Sequence, residues 1–144
     1  MTQNNKGIIA MEVSLKFNKW FFDIILSGDF IPNEYEGFFF NLLNHKNWKP
    51  GTPVLIDETN FHSENLSIEE IKEIANQCSR LKHKFGPAKC AIFVSRDLEF
   101  GINRMWEVFV ENQWDVVLDF FRSRDDAIEW LKEEILTSET GKKK

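Results

Sequence analysis

The sequence contains few cysteines and no long hydrophobic run. Two cysteines occur in 144 residues. Cys78 falls on the apolar face of a predicted helix and Cys90 in a predicted buried strand, which indicates reduced core residues rather than a disulfide. No stretch reaches the roughly 18 apolar residues of a membrane span, and no positively charged start precedes an apolar N-terminal run. The sequence therefore predicts neither secretion nor membrane insertion, and a cytoplasmic location.

Signatures of cofactor, metal and catalytic sites are also missing. No turn has the GxGxxG or GxxxxGKS/T spacing of a phosphate-binding loop, and no serine lies in a GxSxG turn. His45, His62 and His83 fall in separate segments without a ligand partner at metal-binding spacing, and the cysteines form no CxxC pair. We therefore expect a protein that is not an enzyme, with no cofactor, no metal and no catalytic residue.

The charge balance disfavours a nucleic-acid partner. The formal net charge is −5, whereas affinity for a phosphate backbone comes mainly from clustered lysine and arginine. The basic run Lys142–Lys144 is too short to reverse this prediction.

Phenylalanine, by contrast, is abundant, with 14 copies, and it occurs in a regular alternation of short apolar strands and amphipathic helices. Met11–Phe17 alternates apolar and polar residues and, with Trp20–Leu26, predicts an antiparallel hairpin. Further strands are predicted at Val54–Asp57, Cys90–Val94 and Asp115–Phe121. Each is followed by a helix, at Ser67–Leu81, Asp97–Val110 and Ser123–Leu136, and another helix is predicted at Pro32–Leu43.

This order of elements predicts an α/β fold. Strand–helix–strand units imply right-handed crossovers, so the sheet should be mixed and mostly parallel, with about five strands, helices on both faces and the hairpin as its antiparallel part. Residues 1–136 are interpreted as a single layered domain. The polar residues 137–144 are interpreted as a mobile C-terminal tail.

Two helix starts carry clear capping signals. Ser67 with Glu70 forms a capping box, flanked by a Leu66/Ile71 hydrophobic staple. Ser123 is predicted to cap the last helix, with Asp126 three residues later.

Polar residues gather where the parallel strands end, which is where such sheets usually bind ligands. We interpret Glu58–Asn65 as a polar loop. The candidate partner- or ligand-binding residues at these strand ends are Asp57, Glu58, Thr59, Arg96 and Arg122. A hydrolase using such polar strand-end residues is the least favoured interpretation.

A second candidate surface comes from Phe38, Phe39 and Phe40, which are consecutive on a predicted helix. Successive helical residues turn by about 100°, so the three rings cannot all face one sheet. Phe40 is the ring expected to point elsewhere and to join a surface with Trp48. That surface would be covered by a loop, form a homodimer contact or line an apolar pocket.

The strand Val54–Asp57 with its capped helix, and the closing segment Asp119–Leu131, resemble the SpoIIAA-like superfamily. This group contains the STAS domains of anti-sigma-factor antagonists and the Sec14-like lipid carriers. The resemblance implies a non-catalytic regulatory or scaffolding module that docks an unidentified protein or a second copy of itself. The alternative that it implies is a carrier of a small apolar or amphiphilic ligand.

In regulated members of that superfamily, a serine or threonine that opens the helix after the third strand is phosphorylated in a D-S-S-G-like turn. Here the corresponding residues 57–63 read Asp-Glu-Thr-Asn-Phe-His-Ser, without the paired serines and without the glycine. The resemblance leaves Ser63 and Ser67 as candidate phosphorylation sites.

Overall fold

The computed structural model describes residues 9–62, 66–95 and 116–142. The strands within these ranges are β1 Glu12–Asn18, β2 Phe21–Asp29, β3 Val54–His62, β4 Lys89–Phe93 and β5 Val117–Phe121. The helices are α1 Pro32–Leu43, α2 Ile68–Arg80, the single turn α3 Lys82–Phe85, and α4 Arg124–Lys142. Outside the described residues lie Ser63, Arg96 and the predicted helix from Asp97, and the side chain of Cys78 is also outside them.

The described strands form one sheet in the order β1-β2-β3-β4-β5. β1 and β2 pair antiparallel, and every later pair is parallel, with Leu55 opposite Ala91 and Ala91 opposite Asp119. The predicted mixed, mostly parallel sheet with an N-terminal hairpin is thus confirmed.

Helices cover both faces of this sheet, as the sequence predicts. On one face, α1 and α2 pack on alternate strand residues through Phe38, Leu42 and Ile71. On the other face, α4 packs Ala127 and Leu131 against a smaller set, which comprises Phe21, Leu55 and Ala91. We call these the α1/α2 face and the α4 face.

The buried Lys89 helps to attach α4. Its ammonium donates to the Trp130 carbonyl at 3.2 Å and lies 4.0 Å from the centroid of the Trp130 ring. This cation–π contact joins the first residue of β4 to the second turn of α4.

The predicted polar loop at Glu58–Asn65 is wrong in its first half, because β3 continues to His62. β2 also runs further than predicted, to Asp29, and its last residues pair with Asn60, Phe61 and His62. An irregularity after Ile25 of β2 places one extra residue in β3. Phe61 is buried in the core, so a single apolar residue in a polar stretch marks the continuation.

The last helix also runs further than predicted. α4 begins as expected, since the Ser123 hydroxyl accepts the Asp126 N–H at 3.2 Å. It ends at Lys142, whereas the apolar pattern predicts an end near Leu136. The mobility of residues 137–144 stays a prediction.

Candidate functional site

Asp57 lies on the α4 face of β3, at the point where the strand pairing becomes irregular. Its Oδ1 accepts the Thr59 N–H at 2.9 Å and the Thr59 hydroxyl at 2.7 Å. Both residues are half-buried. These local hydrogen bonds orient the carboxylate, and they use the single proton that the Thr59 hydroxyl can donate.

Arg124, in the first turn of α4, brings a positive charge to this cluster. Its guanidinium donates to both carboxylate oxygens of Asp23 in β2, at 2.6 and 3.2 Å. These hydrogen bonds raise the pKa of Arg124 above its ordinary value despite partial burial, and the negative charges of Asp23, Asp57 and Asp125 add to the effect. The guanidinium is therefore held against β2 by two charge-assisted hydrogen bonds.

The Asp23–Arg124 pair is absent from the residues that the sequence singles out. Asp23 is 8% exposed, and it interrupts an apolar strand. A carboxylate in that setting needs a cationic partner, because an unpaired buried charge costs several kcal/mol. Asp23 alone could therefore have indicated a buried ion pair from the sequence, although its partner Arg124 lies 101 residues away.

Glu58 does not join Asp57 at this cluster. Strand alternation turns it toward the α1/α2 face, where it is 4% exposed. Burial, with a smaller contribution from the Glu58 charge, raises the pKa of the Cys90 thiol far above its usual range. Cys90 therefore stays protonated at neutral pH, which disfavours a role as a nucleophile.

Two other predicted residues, Arg122 and Ser67, lie at the ends of different elements. Arg122 is exposed immediately after β5. The Ser67 hydroxyl accepts the Glu70 N–H at 3.1 Å, and the Ser67 N–H donates to the Glu70 carboxylate at 2.9 Å. The predicted capping box is confirmed, and Ser67 lies at the exposed start of α2.

Phe40 is the ring that faces away from the core, as predicted. Its side chain is 66% exposed, whereas Phe38 and Phe39 are buried. It lines an open groove of about 560 Å³ between α1 and the short helix α3. Gly37 and Leu43 line it from α1, with Leu81 and Lys84 opposite. We call this the α1 groove.

Trp48 does not share this surface. Its indole N–H donates to the Lys84 carbonyl at 3.1 Å, and its ring lies 5.7 Å from Phe22 and 5.9 Å from Phe85. Trp48 therefore fastens the segment after α1 to the core. Proximity in sequence suggested a joint surface, but the chain turns at residues 44–49 and directs the ring inward.

The apolar space beneath α1 is small. A cavity of about 10 Å³ is lined by Phe39, Leu42 and Val54, with Phe85, Cys90 and other apolar residues around it. That volume is close to the minimum for one water molecule.

A search of solved structures returned a likeness to a crystal structure from Shewanella loihica PV-4. That protein is described as an uncharacterized protein from the DUF3478 family with a SpoIIAA-like fold. The two chains are 17% identical, the TM-score is 0.56, and the match covers 85% of this chain and 94% of that one. This chain has a SpoIIAA-like fold. No protein-family model and no curated protein matches the chain.

Among the described residues, no three histidine, cysteine or acidic side chains lie together as a metal site would require. Within the same part of the chain, no helix combines the length and the apolar character needed to cross a membrane.

Proposed function

We propose that this SpoIIAA-like module is a non-catalytic regulatory or scaffolding protein that docks a protein partner at the α1 groove. The observation that carries the proposal is the exposure of Phe40 beside that groove. A phenyl ring buries about 150–250 Å² when covered, and aromatic anchors seated in pockets dominate binding energy at interfaces.

The lining of the α1 groove suggests the chemistry of the partner. Leu43 and Leu81 are apolar, Lys84 adds a positive charge and Glu36 a negative one. We therefore propose a partner segment with one apolar side chain that packs on Phe40, flanked by a carboxylate that faces Lys84. Such a segment would bury apolar area and gain a charge-assisted contact at the rim.

We also propose a secondary contact at the predicted polar residues of β3 and at the residue that follows β5. Asp57, Thr59 and Arg122 reach solvent at least in part, whereas Glu58 is buried and is left out of this proposal. Arg96 and Ser63 lie outside the described residues. Phosphorylation of Ser67 stays a prediction, and it would place a phosphate beside the Glu70 carboxylate that now completes the capping box.

We expect Phe40→Glu to weaken partner binding by at least tenfold, because a carboxylate cannot replace a ring that the complex buries. The fold should stay intact, since the ring is exposed in the free protein. The measurement is pull-down with this 144-residue chain as bait, followed by titration of the captured partner. Ile68→Glu is the matched control. Ile68 is also an exposed apolar residue, at 50%, but it lies at the opposite end of α2 from Leu81.

Equal capture by the natural chain, Phe40→Glu and Ile68→Glu would contradict docking at the α1 groove. Circular dichroism of each variant separates a loss of binding from a loss of fold. A partner that is lost with both variants would place the contact across α1 and α2 rather than at the α1 groove alone.

The carrier alternative has less support within the described part of the chain, because the apolar cavity beneath α1, of about 10 Å³, is far smaller than the several hundred Å³ of a typical ligand pocket. We expect native mass spectrometry of freshly purified protein to give only the mass of the polypeptide and its oligomers. A reproducible additional mass that disappears on denaturation would favour the carrier.

A further inference from the structure

The edge of the sheet at β1 offers a second interaction surface. We infer that β1 pairs antiparallel with β1 of a second copy of this chain about a two-fold axis at Ser14, extending the sheet across a homodimer. This surface is separate from the α1 groove, and the inference does not depend on the proposed function.

β1 is an outermost strand of the described sheet, because β2 is its neighbour on one side and no described strand lies on the other. It is seven residues long and contains neither proline nor glycine. In an antiparallel pair, alternate residues direct their backbone N–H and C=O groups to opposite sides. Half of the β1 backbone groups therefore point away from β2 and can pair with another strand.

The charges of β1 are self-complementary about Ser14. Pairing around that residue places Glu12 opposite Lys16 of the second copy, and the two-fold axis repeats the contact in reverse. Opposite charges directly across an antiparallel pair are stabilising, whereas like charges are destabilising. A shift by one residue would break both contacts and bring apolar residues opposite polar ones, so the charges also specify the register.

The other face of β1 is apolar and matches in the same register. Val13 falls opposite Leu15 of the second copy, and Leu15 opposite Val13. Val13 is 37% exposed, whereas Leu15 and Phe17 are partly buried against the core. Strand addition would cover Val13 and continue the apolar row of the α1/α2 face.

Glu12 and Lys16 are available for this contact. Both are exposed, and neither forms an ion pair with another described residue. The acidic residue across from Lys16 within the chain is Asp23, and both of its carboxylate oxygens are already bound by Arg124. The Lys16 ammonium is therefore available to a carboxylate of a second copy beyond the edge of the sheet.

The test uses reciprocal charge changes in the full chain. Because the axis duplicates each contact, Glu12→Lys alone, or Lys16→Glu alone, turns two attractive pairs into two repulsive ones, and we expect the dimer dissociation constant to rise about tenfold. An equimolar mixture of the two single variants should dimerise again, since every pair is then of opposite sign. The double variant should dimerise like the natural chain.

Sedimentation velocity over a concentration series at about 50 mM and 500 mM salt measures these constants, with the weaker association expected at high salt. Lys46→Glu, an equal charge change in an exposed turn, is the control and should leave the dimer unchanged.

Lysine on an edge strand can instead protect against pairing. A natural chain that stays monomeric at high concentration, or a mixture that fails to restore the dimer, would overturn the inference. Phe40→Glu should dimerise normally, which keeps failure here distinct from failure at the α1 groove.

Discussion

Gly28→Ala should lower the free energy of unfolding by more than about 3 kcal/mol, and we expect most of the variant to be insoluble. Gly28 has a φ of +83°, in the left-handed region that disfavours side chains. A Cβ there would lie 1.9 Å from the carbonyl oxygen of Ala10. The obstacle is backbone and cannot rotate away. Urea denaturation of any soluble fraction, followed by circular dichroism, measures the loss.

The control for this substitution is Gly37→Ala in α1. A Cβ at Gly37 meets nothing within 4 Å, and alanine in a helix interior is favoured over glycine by about 0.5–1 kcal/mol. The same chemical change should therefore stabilise the protein at one position and destabilise it at the other. Equal midpoints for the two variants would show that residues 9 and 10 do not pack against Gly28 in solution.

Arg124→Met should destabilise the protein by about 2–4 kcal/mol, because it leaves the Asp23 carboxylate buried without its cation. The lower end is favoured, since 37% of the arginine side chain is exposed. Methionine keeps most of the aliphatic stem, so the loss reports the missing guanidinium rather than lost packing. Urea denaturation measures the change.

Two further variants make this test specific. Asp23→Leu combined with Arg124→Met should recover part of the loss, because apolar replacement of a buried ion pair is often close to neutral. Arg122→Met removes the same group from an exposed arginine two residues earlier, and we expect a change below about 1 kcal/mol. If Arg124→Met proved as harmless as Arg122→Met, the pair would contribute little to stability.

The features that the sequence predicted correctly are governed by local interactions. The buried strand segments around residues 54–57, 90–93 and 117–121 follow from short apolar runs. The capping box of Ser67 and Glu70 spans a single helical turn, and the outward position of Phe40 follows from helix geometry. Each of these can be inferred from a window of a few residues.

The errors concern interactions between distant segments. The second half of β3 is polar in composition, and it is a strand because the end of β2 lies beside it. Once Glu58 is placed in a strand, alternation puts it and Asp57 on opposite faces, which a loop would not require. Arg124 follows β5 along the chain, whereas its partner Asp23 belongs to the first hairpin. Residue spacing along the chain carries no information on such a pairing.

The strands are adjacent in the sheet in the same order as along the chain. During synthesis on the ribosome, each strand that emerges can therefore find its hydrogen-bonding neighbour already present. The α4 face of the sheet, by contrast, cannot be covered as its strands emerge. The helix that packs on its residues Phe21, Leu55 and Ala91 begins only at Arg124. Nascent chains that lack α4 should expose this apolar sheet surface to chaperones, and the exposure should end once α4 has emerged from the ribosome and packed on the sheet.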